Sequence, residues 1–349
     1  MSRMLLRRIQ NLPLVLLGAS LFYLPSSSMR LSGAINDPEP HDAVLSVVAA
    51  FDRYDLVALG EFHRNQNVHD FVLSLIRSAD FPMKVNDIVV EFGNARYQSM
   101  MDRYIDGADV PSRELRRAWR DTVNILVWDA PVYERFFSVV REVNQHLPKS
   151  RRIRVLLGDP AFDWDQIQTK DQWEEVAAQR DEHAAEVIIK EVVRKRRKAL
   201  LIFGSPHVTR EGAYLRFGGK VNTPSLTELL EQTYAQRVFA IWPQMAGWGE
   251  VGASYGRLVG WRPPAIALIK GTWLGELALG PRGNANHFEE LADAFLYLGP
   301  VQTLRQSVPP EEIYQDASYV AELERRDRIQ GGFNRDEVQR RRKNLSKPH

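Results

Sequence analysis

Residues 55 to 63 read "DLVALGEFH". Five residues in a row are apolar or nearly so, long enough for one buried strand and too short for a helix. The run stops at Gly60, and a carboxylate and an imidazole follow at once. Residues 199 to 207, "ALLIFGSPH", repeat the pattern with Gly204 and His207. Two more apolar runs also end in polar residues: "DIVVEFGN" at 87 to 94 and "RVLLGD" at 154 to 159.

Between these runs the period changes from that of a strand to that of a helix. In "NVHDFVLSLIRSA", 67 to 79, Val68, Phe71, Leu75 and Ile76 fall on one helical face. Helices are expected in "ARYQSMMDRYI", "PSRELRRAWRD" and "PVYERFFSVVREVNQHL". One long helix is expected through "KDQWEEVAAQRDEHAAEVIIKEVVRKRRK", 170 to 198. "SLTELLEQT" and "RVFAIWP" add a helix and a strand, and "HFEELADAFLYLGP" reads as a helix entering a last short strand. The stretch from 243 to 283, rich in Gly, Trp and Pro, reads as irregular or hairpin structure. Alternation of this kind predicts an α/β fold: a mostly parallel central sheet with helices on both faces and the active cleft at the carboxyl ends of the strands.

That topology would bring Glu61, His63, Glu91, Asn94, Asp159 and His207 to one rim. Each residue also has a plainer reading. The glycines suit a chain that must turn as it leaves the sheet, a lone histidine is more often structural than catalytic, and Asp159 would cap the next turn. His69 either points into the cleft or caps its helix. Glu91 stands apart, because a carboxylate closing a buried run needs a cation, a metal or hydrogen-bond donors. Of the tryptophans, Trp128, Trp164, Trp242 and Trp248 fall in or near loops, where core packing is the default; Trp164 is the best placed of them to line the cleft.

The chain has 349 residues, 44% hydrophobic and 26% charged, with a formal net charge of +2. The balance gives no reason to expect nucleic acid as a partner; a small-molecule or peptide substrate is expected instead. Having no cysteine, it has no disulfide, thiolate ligand or thiol nucleophile. The opening is basic ("MSRMLLRRIQ"), then apolar ("LPLVLLGASLFYL"), then small ("PSSSM"), the layout of a secretory signal over residues 1–28. It predicts a periplasmic or secreted protein, touching the membrane only if that segment stays as an anchor. An α/β domain is expected over 38–305, and a charged helical extension over 306–349.

The motifs, taken in order, resemble those of ChaN-type haem-uptake proteins, TIKI/TraB-type metalloproteases and erythromycin esterases. The resemblance rests on Gly60-Glu61-Phe62-His63 with His69, on Glu91, and on Gly204-Ser205-Pro206-His207, and it spans roughly residues 40 to 305. "QRDEHAAEVI" resembles the helix that carries an Arg-Asp pair in the esterase branch, here Arg180 and Asp181. The spacing before His63 is one residue shorter than is usual in erythromycin esterases and closer to that of ChaN and TIKI. The resemblance implies three chemistries. In a metal-free hydrolase, His63 or His207 would be the general base, Glu61 or Glu91 would orient it, and Asn94 or Arg180 would stabilise an oxyanion. In a metallohydrolase, Glu61, His63, Glu91 and His207 would hold zinc, manganese, cobalt or iron, although no HExxH is present. In a haem-binding protein without turnover, histidines or tyrosines such as Tyr97 and Tyr133 would be axial ligands. His69, Asn94 and Asp159 are the remaining candidates for holding a ligand or cofactor.

Overall fold

The computed structural model describes residues 35–210, 223–245, 249–279 and 286–344. The signal-like segment and Trp248 lie outside them. Ten strands are present among the described residues: β1 His41–Asp42, β2 Leu56–Glu61, β3 Asp87–Asn94, β4 Arg154–Asp159, β5 Ala199–Gly204, β6 Val238–Pro243, β7 Ala265–Leu268, β8 Ala278–Leu279, β9 Asn286–His287 and β10 Ala294–Tyr297. Eight of them form one sheet in the order β1-β7-β10-β6-β2-β5-β3-β4, and β8 pairs with β9 separately. From β10 to β4 every pairing is parallel, whereas β7 runs antiparallel to both of its neighbours.

Both faces of this sheet are buried, and the period of two in the strands divides the core. Val57, Leu59, Ile88, Val90, Leu200 and Ile202 point into one layer with the helices Gln66–Arg77 and Pro131–Gln145. Leu56, Ala58, Val89, Ala199 and Leu201 point into the other, under the helix Arg180–Glu191. Because β2, β5, β3 and β4 are successive neighbours, their carboxyl ends set Glu61, Gly204, Glu91 and Asp159 side by side.

The single helix expected over 170–198 is two helices, Lys170–Ala178 and Arg180–Glu191, separated by a turn at Gln179. The basic end of that stretch is not helical beyond a short 3-10 turn. Arg196 is left-handed with φ 52°, and Arg197 is drawn to Asp87 at the amino end of β3. There Arg197 donates to Asp87 at 2.7 and 2.8 Å and Arg154 at 2.7 and 3.1 Å. Two forked guanidiniums on one fully buried carboxylate are a stronger attraction than helix propensity over five residues.

The stretch after residue 305 is packed against the segments around residues 125 and 165. Tyr314, Val320, Leu323 and Val338 share a core cluster with Ile125, Leu126, Trp164 and Ile167. Arg326, on the helix Ala317–Ile329, donates to Asp121 at 2.8 Å and to the Arg120 carbonyl at 2.9 Å.

Asp87 lies at the end of the sheet opposite the rim, so its loss is expected to affect stability and not the rim. Asp87→Ala should lower the unfolding free energy by about 2 kcal/mol, on the low side for a buried ion pair because both arginines remain partly hydrated. Urea denaturation measures this. An unshifted midpoint would mean that the network contributes nothing beyond surface pairing.

Candidate functional site

A cavity of about 650 Å³ opens at the carboxyl ends of β2, β3 and β5. Its walls include Glu61, His63, Glu91, Arg180 and His207, together with Phe62, Val123, Trp173, Ala177 and Pro206. Four of the six residues expected on the rim, Glu61, His63, Glu91 and His207, therefore share one space with Arg180. His69, Asn94 and Asp159 stand behind it.

Glu91 is the most tightly held of the five. One carboxylate oxygen accepts from Arg180 Nη2 at 2.6 Å, and the other from the Gly204 N–H at 2.5 Å. Arg180 Nε reaches Asp159 at 2.8 Å, and Asp159 also accepts the Val123 N–H at 2.7 Å. Burial alone would raise the pKa of Glu91, but Arg180, both cavity histidines and the Gly204 N–H outweigh it and hold the value below the ordinary range. Asp159 goes the other way: its burial outweighs Arg180 and the Val123 N–H, and its pKa is raised. Arg180 is correspondingly harder to deprotonate than usual, since its two carboxylate partners overcome its burial.

Gly204 is present for proximity, and the turn expected of it is not what it provides. Its φ is −50°, open to any residue. A methyl group built there would come within 3.1 Å of Glu91 Oε2, 3.1 Å of His63 Cε1 and 3.4 Å of His207 Cδ2. Gly60 likewise lies inside β2, where a methyl would come within 2.6 Å of Ser205 Oγ. Each glycine lets the motif of one strand lie against its neighbour.

His207 and His63 follow these glycines and differ in their partners. His207 lies on the single turn Ser205–Val208, with Nδ1 2.7 Å from Asp181 Oδ1 and Nε2 3.6 Å from Glu91 Oε1. His63 has Nδ1 3.9 Å from Glu61 Oε1, too far for a hydrogen bond, and its ring meets Trp128 edge-on at 4.6 Å. Burial would lower the pKa of His63, but the carboxylates of Glu61 and Glu91 prevail and raise it.

Glu61 Oε1 accepts from the Tyr133 hydroxyl at 2.5 Å and pairs with His69 Nε2 at 3.2 Å. Its Oε2 has no hydrogen-bond partner in the structure. Burial pushes its pKa upward, and the two histidines more than reverse that, leaving it well below the carboxylate range. His69 thus points at Glu61 from inside its helix, which Asn65 caps instead.

Other expectations are corrected by packing. Asn94 is fully buried; its amide donates to the carbonyls of Asp121 and Phe162, so it stabilises no oxyanion in the cavity. Trp164 is a core residue whose indole N–H donates to the Thr122 carbonyl, and it is Trp173 that lines the cavity. The hydroxyl of Tyr97 is bound to Asp121 and that of Tyr133 to Glu61. Neither tyrosine fits the role of axial ligand. Among the described residues no group of three or more His, Asp or Glu side chains is placed to hold a metal ion. Tyr133, in the first turn of the helix Pro131–Gln145, has no motif around it that marks it as a partner of Glu61.

The chain matches no protein-family model and no curated protein. Solved structures similar to it include a mutant of erythromycin esterase EreC in its open conformation, at TM-score 0.48 and 11% identity over 76% of this chain and 94% of that one. Another is the ChaN protein of Campylobacter jejuni with cofacially bound haem, at TM-score 0.38 and 15% identity over 59% of this chain and 87% of that one. A third is the type III effector HopBA1, at TM-score 0.41 and 16% identity over 63% and 91%. Two of the three are of the ChaN and erythromycin-esterase kinds that the motifs resemble.

A depressed carboxylate pKa contributes stability above the unfolded value and loses it below. As pH falls below the ordinary glutamate value of 4.5, Glu61 should therefore contribute progressively less to stability. Melting temperatures between about pH 3 and 6 should fall less steeply in Glu61→Gln than in the wild type. Parallel curves would show that Glu61 is not held ionised by the fold.

Proposed function

We propose that this protein is a hydrolase in which two imidazoles divide the proton transfers as water attacks an ester, lactone or peptide carbonyl. The observation that carries this reading is the 2.7 Å contact between His207 Nδ1 and Asp181, at the wall of a largely apolar cavity. With its Nδ1–H donated to Asp181, neutral His207 leaves Nε2 as the basic nitrogen. That nitrogen takes the proton of the attacking water, and the new imidazolium is stabilised by Asp181 and by Glu91 at 3.6 Å. His63, whose pKa is raised, gives its proton to the departing alcohol or amine as the tetrahedral adduct collapses. The two histidines then return to their starting states through solvent. Arg180 balances Glu91 and Asp159 and keeps Glu91 ionised.

No step is routed through a metal: both oxygens of Glu91 are taken by Arg180 and Gly204 and Glu61 Oε1 by Tyr133 and His69, so that of these two carboxylates only Glu61 Oε2 is open. No group of three or more His, Asp or Glu side chains among the described residues converges on one point. The walls also suggest the kind of substrate. Phe62, Val123, Trp173, Ala177 and Pro206 favour an apolar body. Among the described lining residues Glu61, Glu91, Glu174 and Asp181 outnumber Arg180, which disfavours anions, the propionates of haem among them. Apolar esters, lactones or amides that are uncharged or cationic suit such walls. The basic, apolar and small-residue order of the first 28 residues supports export to the periplasm or beyond.

A panel of uncharged, cationic and carboxylate-bearing aryl esters and lactones tests the activity. Against the best of them His207→Asn and Asp181→Asn should lower kcat by about 10²–10⁴-fold and leave the melting temperature close to that of the wild type. Undiminished turnover in His207→Asn would remove His207 as the base. A Soret band on haem titration that vanishes in His63→Asn, with no turnover of any ester, would replace the hydrolase by a haem-binding protein. Export is tested separately by N-terminal sequencing of the periplasmic protein, which should begin near residue 29.

A further inference from the structure

Arg64, directly after His63, has a φ of +69°, a left-handed conformation that an arginine side chain seldom adopts. Glycine and asparagine are the usual occupants of such positions. Across from it Leu126 is also left-handed, with φ +65°. The two are joined directly: Arg64 Nη2 donates to the Leu126 carbonyl at 2.6 Å, and Nε to the Val127 carbonyl at 3.1 Å. The backbone of Arg64 is equally engaged. Its N–H donates to the Tyr133 hydroxyl at 2.8 Å, and its carbonyl accepts the Ser307 N–H at 2.7 Å.

The residue after Val127 is Trp128, the ring against which His63 rests. Trp128 is nearly fully buried, and Tyr133 abuts it edge-on at 4.9 Å. Asp129 follows, accepting the Tyr314 and Tyr319 hydroxyls at 2.8 Å each and facing Arg120 Nε at 3.1 Å. The turn that supports His63 is therefore fixed from two sides: by Arg64, and by the segment after residue 305. Two strained residues that meet through charge-assisted hydrogen bonds beside a site histidine are held by function more readily than by folding alone.

We propose that Arg64 is a positioning residue for His63: it clamps the exit of β2 to the turn at Leu126–Trp128 and so sets the imidazole against the indole and toward Glu61. It touches no reacting atom and acts through His63. The inference rests on the hydrolase reading only in giving His63 a task in turnover, and the clamp itself is observable without a substrate.

The test is the proton resonance of His63 Cε1 in the full-length protein, assigned by its loss in His63→Asn and followed as a function of pH. Arg64→Gly keeps access to the left-handed backbone and removes the clamp; Arg64→Asn does the same with a side chain and serves where the glycine variant fails to fold. In the folded variant the ring-current shift from Trp128 should collapse and the titration midpoint of His63 should move down toward the ordinary histidine value. With a turned-over substrate, kcat should fall about 10²-fold at unchanged KM. A His63 resonance and midpoint matching the wild type in either variant would overturn the proposal, leaving Arg64 as a structural residue. If the resonance moves as expected while the wild type turns over no substrate, the clamp stands and the hydrolase reading falls.

Discussion

Glu91 is a charge that the fold places in the carboxyl-terminal half of β3 and buries almost completely. An isolated carboxylate in that position would be protonated or would unfold the strand. Arg180 and the Gly204 N–H prevent this, and their reach has consequences across the rim. Arg180 is the first residue of the helix Arg180–Glu191, which follows the break at Gln179 and brings the guanidinium to Glu91 and Asp159. Gly204 leaves room for its N–H contact with Glu91, because a Cβ there would crowd Glu91, His63 and His207 at 3.1–3.4 Å. The residues after that glycine then carry His207 back over the same carboxylate.

This accounts for which parts of the molecule were legible in the sequence. The strands that carry Glu61, Glu91, Asp159 and Gly204 could be read because burial and period are local properties, and their neighbourhood followed from the rule for parallel sheets. Long-range partners could not be read. Tyr133 looks like any aromatic on an amphipathic helix until its hydroxyl meets Glu61, and Trp173 looks like any residue of a polar helix until its indole N–H meets the Val123 carbonyl. Asn94, the last residue of β3, and Trp164, in the loop after β4, both turn away from the rim and donate to the carbonyls of Asp121 and Thr122.

That loop is the least predictable part of the site and the most heavily secured. Val123 accepts at its carbonyl from Trp173 and Gln330 and donates its N–H to Asp159. These partners come from a strand end, from the first of the two broken helices, and from the segment after residue 305. A loop with little regular structure of its own needs such external donors and acceptors to hold one conformation. The charged tail of the sequence thus acquires a role that its composition did not announce: Gln330 satisfies the Val123 carbonyl of the cavity wall, and Tyr314, Tyr319 and Arg326 satisfy Asp129 and Asp121 behind it.

The two GxxH motifs look equivalent in sequence and are made unequal by their surroundings. His207 is bound to Asp181 through one nitrogen, which fixes its tautomer and leaves the other nitrogen for a proton. His63 has carboxylates near it but none within hydrogen-bonding distance of Nδ1, and it leans on an indole, so its charge is favoured without its tautomer being fixed. An orienting contact suits a base, and a favourable field without an orienting contact suits an acid. The difference originates outside both motifs, in Asp181 on one side and in the Arg64–Trp128 turn on the other. A second copy of a short motif on a neighbouring strand need not duplicate the first in function, because the chemistry of each histidine is set by what the fold packs against it.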